Sequence, residues 1–332
     1  MGIQQKLQKW IIRISQFALK NFKFIKYYFC IMWQLAYSCN QFRFLSIYLH
    51  YFLQKNKIKK KLYVVGHNKY GACGLEKQDE INSFTLNTSI QDTKITQISA
   101  GDGFSLFLDD KKQISSCGFR LRHGNMENKH QFKIQRIEVL QNIPIKYINA
   151  GFSHAACIQD QTGEVFTWGN GFFYQLGHGS KQSLKTAKKI KGLNRIKNIS
   201  CSRGEKYCHT ICVNEDNEVF SWGSGYKGKL GHYKEWTHEN QNDEKIPKKI
   251  VNFKTNGADL AVAGGIHSGI LGLDKNLYTF GCGSNGRLGH KKYQNYVYLY
   301  REGIPKAIQG IKGKNCFDIA SSYYYMIALC KE

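Results

Sequence analysis

Short runs in which apolar and small polar residues alternate recur along the chain, and each stops at a glycine. They are Leu62-Tyr-Val-Val65 before Gly66, Ile114-Ser-Ser-Cys117 before Gly118, Val165-Phe-Thr-Trp168 before Gly169, Val219-Phe-Ser-Trp222 before Gly223 and Leu277-Tyr-Thr-Phe280 before Gly281. A period of two over so few residues predicts a half-buried strand. A second apolar run opens on Ala100-Gly101, Ala150-Gly151 and Ala263-Gly264, and in degenerate form on Ala320-Ser-Ser; a Cys201 copy carries about four extra residues before His209. Each second run leads through a polar turn (Asp109-Asp110, Gln161-Thr-Gly163, Asn214-Glu-Asp216, Asp274-Lys-Asn276) into the next glycine-ended run. Two short strands joined by such a turn predict a β-hairpin.

The terminal glycines of the first pattern are spaced by 52, 51, 54 and 58 residues. Pro144, Pro247 and Pro305 each follow an isoleucine, and proline tolerates strand starts and edges, so a further short strand per repeat is expected. Several short strands and tight glycine turns in a repeat of this length make a propeller blade. The fold class expected is all-β: a β-propeller of about five repeats of ~52 residues over 61–332, preceded by a basic, aromatic-rich helical extension at 1–60. Because the repeated part opens on a glycine-ended strand and closes on its usual partner, the two ends are expected to pair and close the ring.

One copy, Gly223-Ser-Gly225-Tyr-Lys-Gly228, matches the glycine fingerprint of a dinucleotide site. That site needs a helix opening at the glycines and an acidic residue about 20 positions on. Here Lys-Leu-Gly-His follows, and the same pattern returns at Gly281-Cys-Gly283-Ser-Asn-Gly286 and at Gly169-Asn-Gly171. The glycines are therefore read as blade turns, and no cofactor is expected.

The recurring strand, Trp-Gly, x-Gly-x-x-Gly-x-Leu-Gly-His and Ala-Gly-x-x-His resembles the repeat of the regulator of chromosome condensation family over roughly residues 61–332. The resemblance implies a propeller whose type member has seven blades, where this chain has residues for five repeats. It also implies two functional classes. One is a protein–protein interaction scaffold; the alternative is a guanine-nucleotide exchange factor for a Ran-type small GTPase with chromatin association.

Trp168, Trp222 and Phe280 share one strand position and are expected to bury apolar surface between blades, with Cys117 and Val65 at that position in the other copies. His154, His209 and His267 recur at strand starts, and His178, His232 and His290 at turn ends. One histidine per blade cannot converge on a metal, so each is expected to hydrogen-bond its own turn. The eleven cysteines include no C-x-x-C pair, which argues against a zinc ribbon or dithiol redox site. Cys157 and Cys212 stand at strand core positions and are expected to behave as small apolar residues in a reducing, intracellular compartment, cytoplasmic or nuclear. Neither a nucleophile elbow, an HExxH pair nor a Walker loop is present, so ordinary bond-making catalysis is not expected, and no catalytic, cofactor or metal residue is assigned.

Of the net charge of +24, residues 1–61 supply twelve Lys or Arg and no Asp or Glu. The remaining basic surface favours acidic protein partners and non-specific contact with chromatin or nucleic acid. Within the extension, Leu7, Ile11, Ile14, Ala18, Phe22 and Ile25 share one helical face and Lys6, Lys9, Arg13 and Lys20 the other, the pattern of a helix lying in a membrane interface. Three readings stand for it: membrane-surface contact through residues 1–55, a targeting segment, or an artefact of the reading frame. The longest insert after a glycine motif, residues 233–244, carries Lys234, Trp236, His238 and Glu239; these form the candidate protein-binding loop.

Overall fold

The computed structural model describes residues 61–76, 79–90, 93–233, 242–253, 255–290 and 300–331. The extension at 1–60 and the candidate loop residues Lys234, Trp236, His238 and Glu239 lie outside the described residues. Among the described residues there are four complete blades, each a four-stranded antiparallel sheet in simple chain order. Blade 1 comprises β3 (Ile95–Ala100), β4 (Phe104–Asp109), β5 (Ile114–Gly118) and β6 (Gln131–Arg136). Blade 2 comprises β7 (Ile145–Ala150), β8 (His154–Gln159), β9 (Val165–Gly169) and β10 (Leu184–Lys189). Blade 3 is β11 (Ile196–Cys201), β12 (His209–Asn214), β13 (Val219–Gly223) and β14 (Glu244–Lys249), and blade 4 is β15 (Ala258–Ala263), β16 (His267–Gly272), β17 (Leu277–Cys282) and β18 (Arg301–Ala307). A pair β1 (Leu62–His67) and β2 (Glu80–Asn87) precedes them, and a pair β19 (Cys316–Ser321) and β20 (Met326–Cys330) follows.

The glycine-ended runs are the third strands, and the Ala-Gly runs supply the first and second. Alternation decides little inside the second strands, because both their faces are covered: β4, β12 and β16 are buried at every residue. Gly169 and Gly223 end their strands at φ of +101° and +103°, and a Cβ there would stand 2.8 and 2.7 Å from the Cα atoms of His154 and His209. Only glycine meets both demands.

Two expectations are corrected. Among the described residues, β1–β2 and β19–β20 are separate two-stranded sheets, so the chain's two ends do not pair. The prolines also differ in setting. Pro144 directly precedes the first strand β7, whereas Pro247 and Pro305 lie within the outer strands β14 and β18, where a missing N–H breaks no ladder beyond the edge.

The blades are joined by repeated seams. Trp168 and Trp222 are fully buried, and their indole N–H groups donate to the Arg122 and Gln175 carbonyls of the preceding blade, both at 2.9 Å. Hydroxyls at the second residue of the second strand do the same: Thr210 to Gln175 O and Ser268 to Lys229 O, both at 2.8 Å. At the first seam Ser105 Oγ and Cys117 Sγ both reach Ala72 O. Along the first strands, side-chain amides and hydroxyls bond the next blade's backbone. Gln97 exchanges bonds with Ile148, Ser99 Oγ accepts from Ala150 N, Asn149 Oδ1 from Cys201 N, and Asn198 Oδ1 and Ser200 Oγ from Ala261 N and Ala263 N.

Cys157 and Cys212 are free and buried as expected, within apolar clusters at the seams. Cys316 and Cys330 face each other across β19 and β20 and are bridged, a pairing that the absence of a C-x-x-C spacing does not reveal.

Candidate protein-interaction face

In an antiparallel blade the first-to-second and third-to-fourth connections leave from one end, and the remaining connections from the other. The first of these ends carries the glycine motifs. In blades 1, 2 and 4 the first-to-second connection is three residues, 101–103, 151–153 and 264–266. In blade 3 it is seven, 202–208, the extra length noted after Cys201.

This longer loop is anchored. Arg203 Nη1 donates to Ala150 O at 2.6 Å and Ala100 O at 3.2 Å, joining the last carbonyls of two first strands. At the loop's far end Tyr207, at φ 56°, meets two other rings. Its ring stacks on Tyr226 at 4.2 Å with planes 15° apart, and its centroid lies 5.6 Å from that of Phe173. Phe172, 5.2 Å further, is 60% exposed. An aromatic row thus crosses from blade 2 to blade 3 on the glycine-turn end.

Lysines stand over this row. Lys181 Nζ lies 5.6 Å from the Phe172 centroid and 5.2 Å from that of Tyr174, and Lys245 Nζ lies 5.8 Å from Tyr174. Lys227 and Lys229 approach Tyr226 at 5.6 and 5.8 Å. Such contacts hold a cation over the negative face of a ring. Lys227 adopts φ 63°, a region suited to the asparagine that replaces it in the next blade, Asn285. Lys229 is fully buried, its ammonium donating to Tyr226 O at 3.1 Å. Burial pushes its pKa down to about 7, against the pull of Asp243.

The histidines divide into two sets. His178, His232 and His290 bond the hydroxyls of Thr167, Ser221 and Thr279 at 3.0, 3.0 and 3.1 Å, and these hydroxyls donate to the Leu176, Leu230 and Leu288 carbonyls of the same turn. This set behaves as expected. His154 and His209 instead reach the next blade, Nε2 meeting Thr210 Oγ1 at 2.9 Å and Ser268 Oγ at 2.8 Å. Both hydroxyls already donate their proton to a carbonyl, so each imidazole donates from Nε2 and is neutral. Burial holds His154 down to about 3 and His209 well below the usual histidine range. In the last pair Met326 stands at the position that Thr210 and Ser268 hold in their blades, and burial holds His267 down to about 4. No group of three or more His, Cys, Asp or Glu that could hold a metal ion occurs among the described residues.

The aromatic row was not singled out in the sequence, although the extra residues after Cys201 mark where it is built. Four four-stranded blades joined by Trp, His and hydroxyl seams, with the first-to-second connection lengthened in blade 3, define a repeat propeller. The sequence matches the regulator of chromosome condensation (RCC1) repeat at residues 61–108, 162–211, 216–271 and 274–329. The chain belongs to that family. It is 29% identical to human E3 ubiquitin-protein ligase HERC2 over 280 residues, 82% of this chain but 5% of HERC2. It is 32% identical to the Arabidopsis thaliana ultraviolet-B receptor UVR8 over 202 residues, 59% of this chain and 43% of the receptor. Prp20p from Saccharomyces cerevisiae matches in structure at a TM-score of 0.68 and 22% identity, covering 81% of this chain and 65% of Prp20p.

Proposed function

We propose that the chain is a protein–protein interaction scaffold that engages its partner through the glycine-turn end of blades 2 and 3. The observation that carries this reading is the seven-residue connection 202–208, which interrupts an otherwise uniform repeat and places Tyr207 in an aromatic row ending on exposed Phe172. Partner-contacting residues concentrate on loops that a rigid scaffold positions, and aromatic residues dominate such contacts. The test uses the full chain as bait in crosslinked pull-downs, wild type against the double variant Phe172→Ala, Tyr226→Ala. Partners lost from the variant at an unchanged melting temperature support the face; an identical partner set refutes it.

Exchange on a Ran-type GTPase is the second reading, and the described binding of Prp20p to Gsp1p and histones favours testing it. Release of fluorescent GDP from such a GTPase is measured with and without the full chain. Acceleration by orders of magnitude replaces the scaffold reading; release at the intrinsic rate leaves it standing. The Trp236→Ala variant of the same chain then asks whether the insert after the third glycine motif takes part. Membrane contact through residues 1–55 remains a proposal for vesicle binding by the full chain, and no helix among the described residues is long and apolar enough to cross a membrane.

A further inference from the structure

Lys181 and Lys245 stand over the rings of Phe172 and Tyr174 beside the aromatic row. Several basic side chains elsewhere on the propeller are paired: Lys189 with Glu164 at 3.1 Å, Arg195 with Asp216 at 2.7 Å, Lys275 with Asp259 at 3.2 Å, Arg122 with Asp102 at 2.7 Å. Lys181, Lys206 and Lys245 are exposed, and among the described residues none of them makes an ion pair. The loop 170–183 contains no acidic residue, and the described parts of the other two loops hold Glu205 and Asp243 against Arg203, Lys206, Lys227 and Lys229. Asp243 is already engaged, accepting from Gly225 N at 3.0 Å. The patch therefore carries an excess of positive charge over a low-polarity ring surface.

We propose that this patch binds an acidic protein segment whose carboxylates reach the lysine ammoniums while its apolar side chains lie along Phe172 and Phe173. The proposal rests on the scaffold reading and specifies its partner's chemistry. Charge complementarity is one argument. An ammonium over a ring keeps its three N–H donors, so Lys181 and Lys245 can hold a carboxylate without leaving Tyr174. The second argument separates a peptide from a nucleic acid. Single-stranded nucleic acid binds by stacking bases on open aromatic faces. Here Tyr207 and Tyr226 use their faces on each other, and Lys181 and Lys245 stand over Phe172 and Tyr174. The patch offers donors and ring edges in place of stacking platforms.

The experiment is fluorescence anisotropy on the full chain with three labelled probes: a peptide of alternating Glu and Leu with one Trp, the same peptide with Gln for Glu, and an oligothymidine. The Glu peptide is expected to bind at least tenfold more tightly than the Gln peptide, and to weaken as salt shortens the screening length from about 10 Å at 0.1 M to about 3 Å at 1 M. Lys181→Glu with Lys245→Glu is expected to remove roughly tenfold or more of that affinity, and to leave the melting temperature in place because both side chains are exposed. Equal binding of the Glu and Gln peptides overturns the acidic partner while leaving the face as an apolar docking surface. Tighter binding of oligothymidine, reduced by the same charge reversals, assigns the patch to nucleic acid instead. Binding of the Glu peptide that the double reversal does not weaken places the acidic site elsewhere, and absence of binding by any probe overturns the proposal outright. The crosslinked pull-down with Phe172→Ala, Tyr226→Ala reports separately whether the scaffold reading survives.

Discussion

Replacing Trp222 with alanine tests the seam that the repeat depends on. Its side chain is fully buried between blades 2 and 3, against Ile199, Cys201 and Cys212. Gly177 approaches so closely that a Cβ there would stand 2.8 Å from Nε1. Loss of a buried tryptophan to alanine costs about 3–5 kcal/mol. The lost N–H bond to Gln175 O contributes about 1 kcal/mol of this and no more, because Thr210 Oγ1 still donates to the same carbonyl at 2.8 Å and leaves it satisfied. Trp222→Phe keeps most of the packing and loses the N–H, so it should cost about 1–2 kcal/mol. In equilibrium urea unfolding, with a slope of about 2 kcal/mol per molar, the alanine variant should shift the midpoint by about 2 M and the phenylalanine variant by about 0.5–1 M. A Trp222→Ala cost below about 1 kcal/mol, or equal costs for the two variants, would show that the seam is not held by the indole as described.

Other consequences can be measured with the same protein. Ser268→Ala should destabilise by about 1–3 kcal/mol, because it leaves the Nε2–H of buried His209 without an acceptor; adding His209→Phe should recover part of the loss, and urea titration of the pair distinguishes coupling from simple addition. His154, His232 and His267, which are buried, and half-buried His178 are held by desolvation at about 3, 4, 4 and 4, so they are neutral in the fold and bind protons readily only when unfolded. Stability should therefore be full above about pH 6.5 and decline as pH falls towards about 4, and His154→Gln should flatten that decline in melts recorded across the range. Arg203→Ala should release the 202–208 connection from Ala100 and Ala150, raising amide exchange there while the second strands stay protected.

Much of the fold was legible because each blade repeats its chemistry. The run from Val219 to Trp222 identifies a third strand by period, and Gly223 ends it because the backbone there needs both positive φ and close approach. The identity of the seam residues was legible for the same reason: Trp168, Trp222 and Phe280 recur at one position. What escaped was the polar pairing between blades. His154 and His209 cross to a hydroxyl more than fifty residues away, and nothing local distinguishes them from His178, which stays within its turn. The end-to-end pairing failed on the same ground, since strand complementarity is local and the turn from blade to blade is not. Of the candidate site, the sequence marked the extra residues after Cys201 but not their use. Tyr207 meets Phe173 and Tyr226 only once two blades are set side by side, and Lys234, Trp236, His238 and Glu239 lie outside the described residues.

The seams also determine what can vary independently. Each one takes side chains from both of its blades: Asn198 and Ser200 reach forward to Ala261 and Ala263, while Ser268 reaches back to Lys229. At the last seam all these choices shift together. Leu260 and Val262 replace the polar residues on the forward side, Met326 replaces the hydroxyl on the other, and the joint becomes an apolar cluster with Cys316 and Ile319. The modular unit of this protein is accordingly the joint between two blades rather than the blade. Excising blade 4 would set the edge of blade 3 against β19 and β20, leaving His209 to meet Met326 in place of the Ser268 hydroxyl.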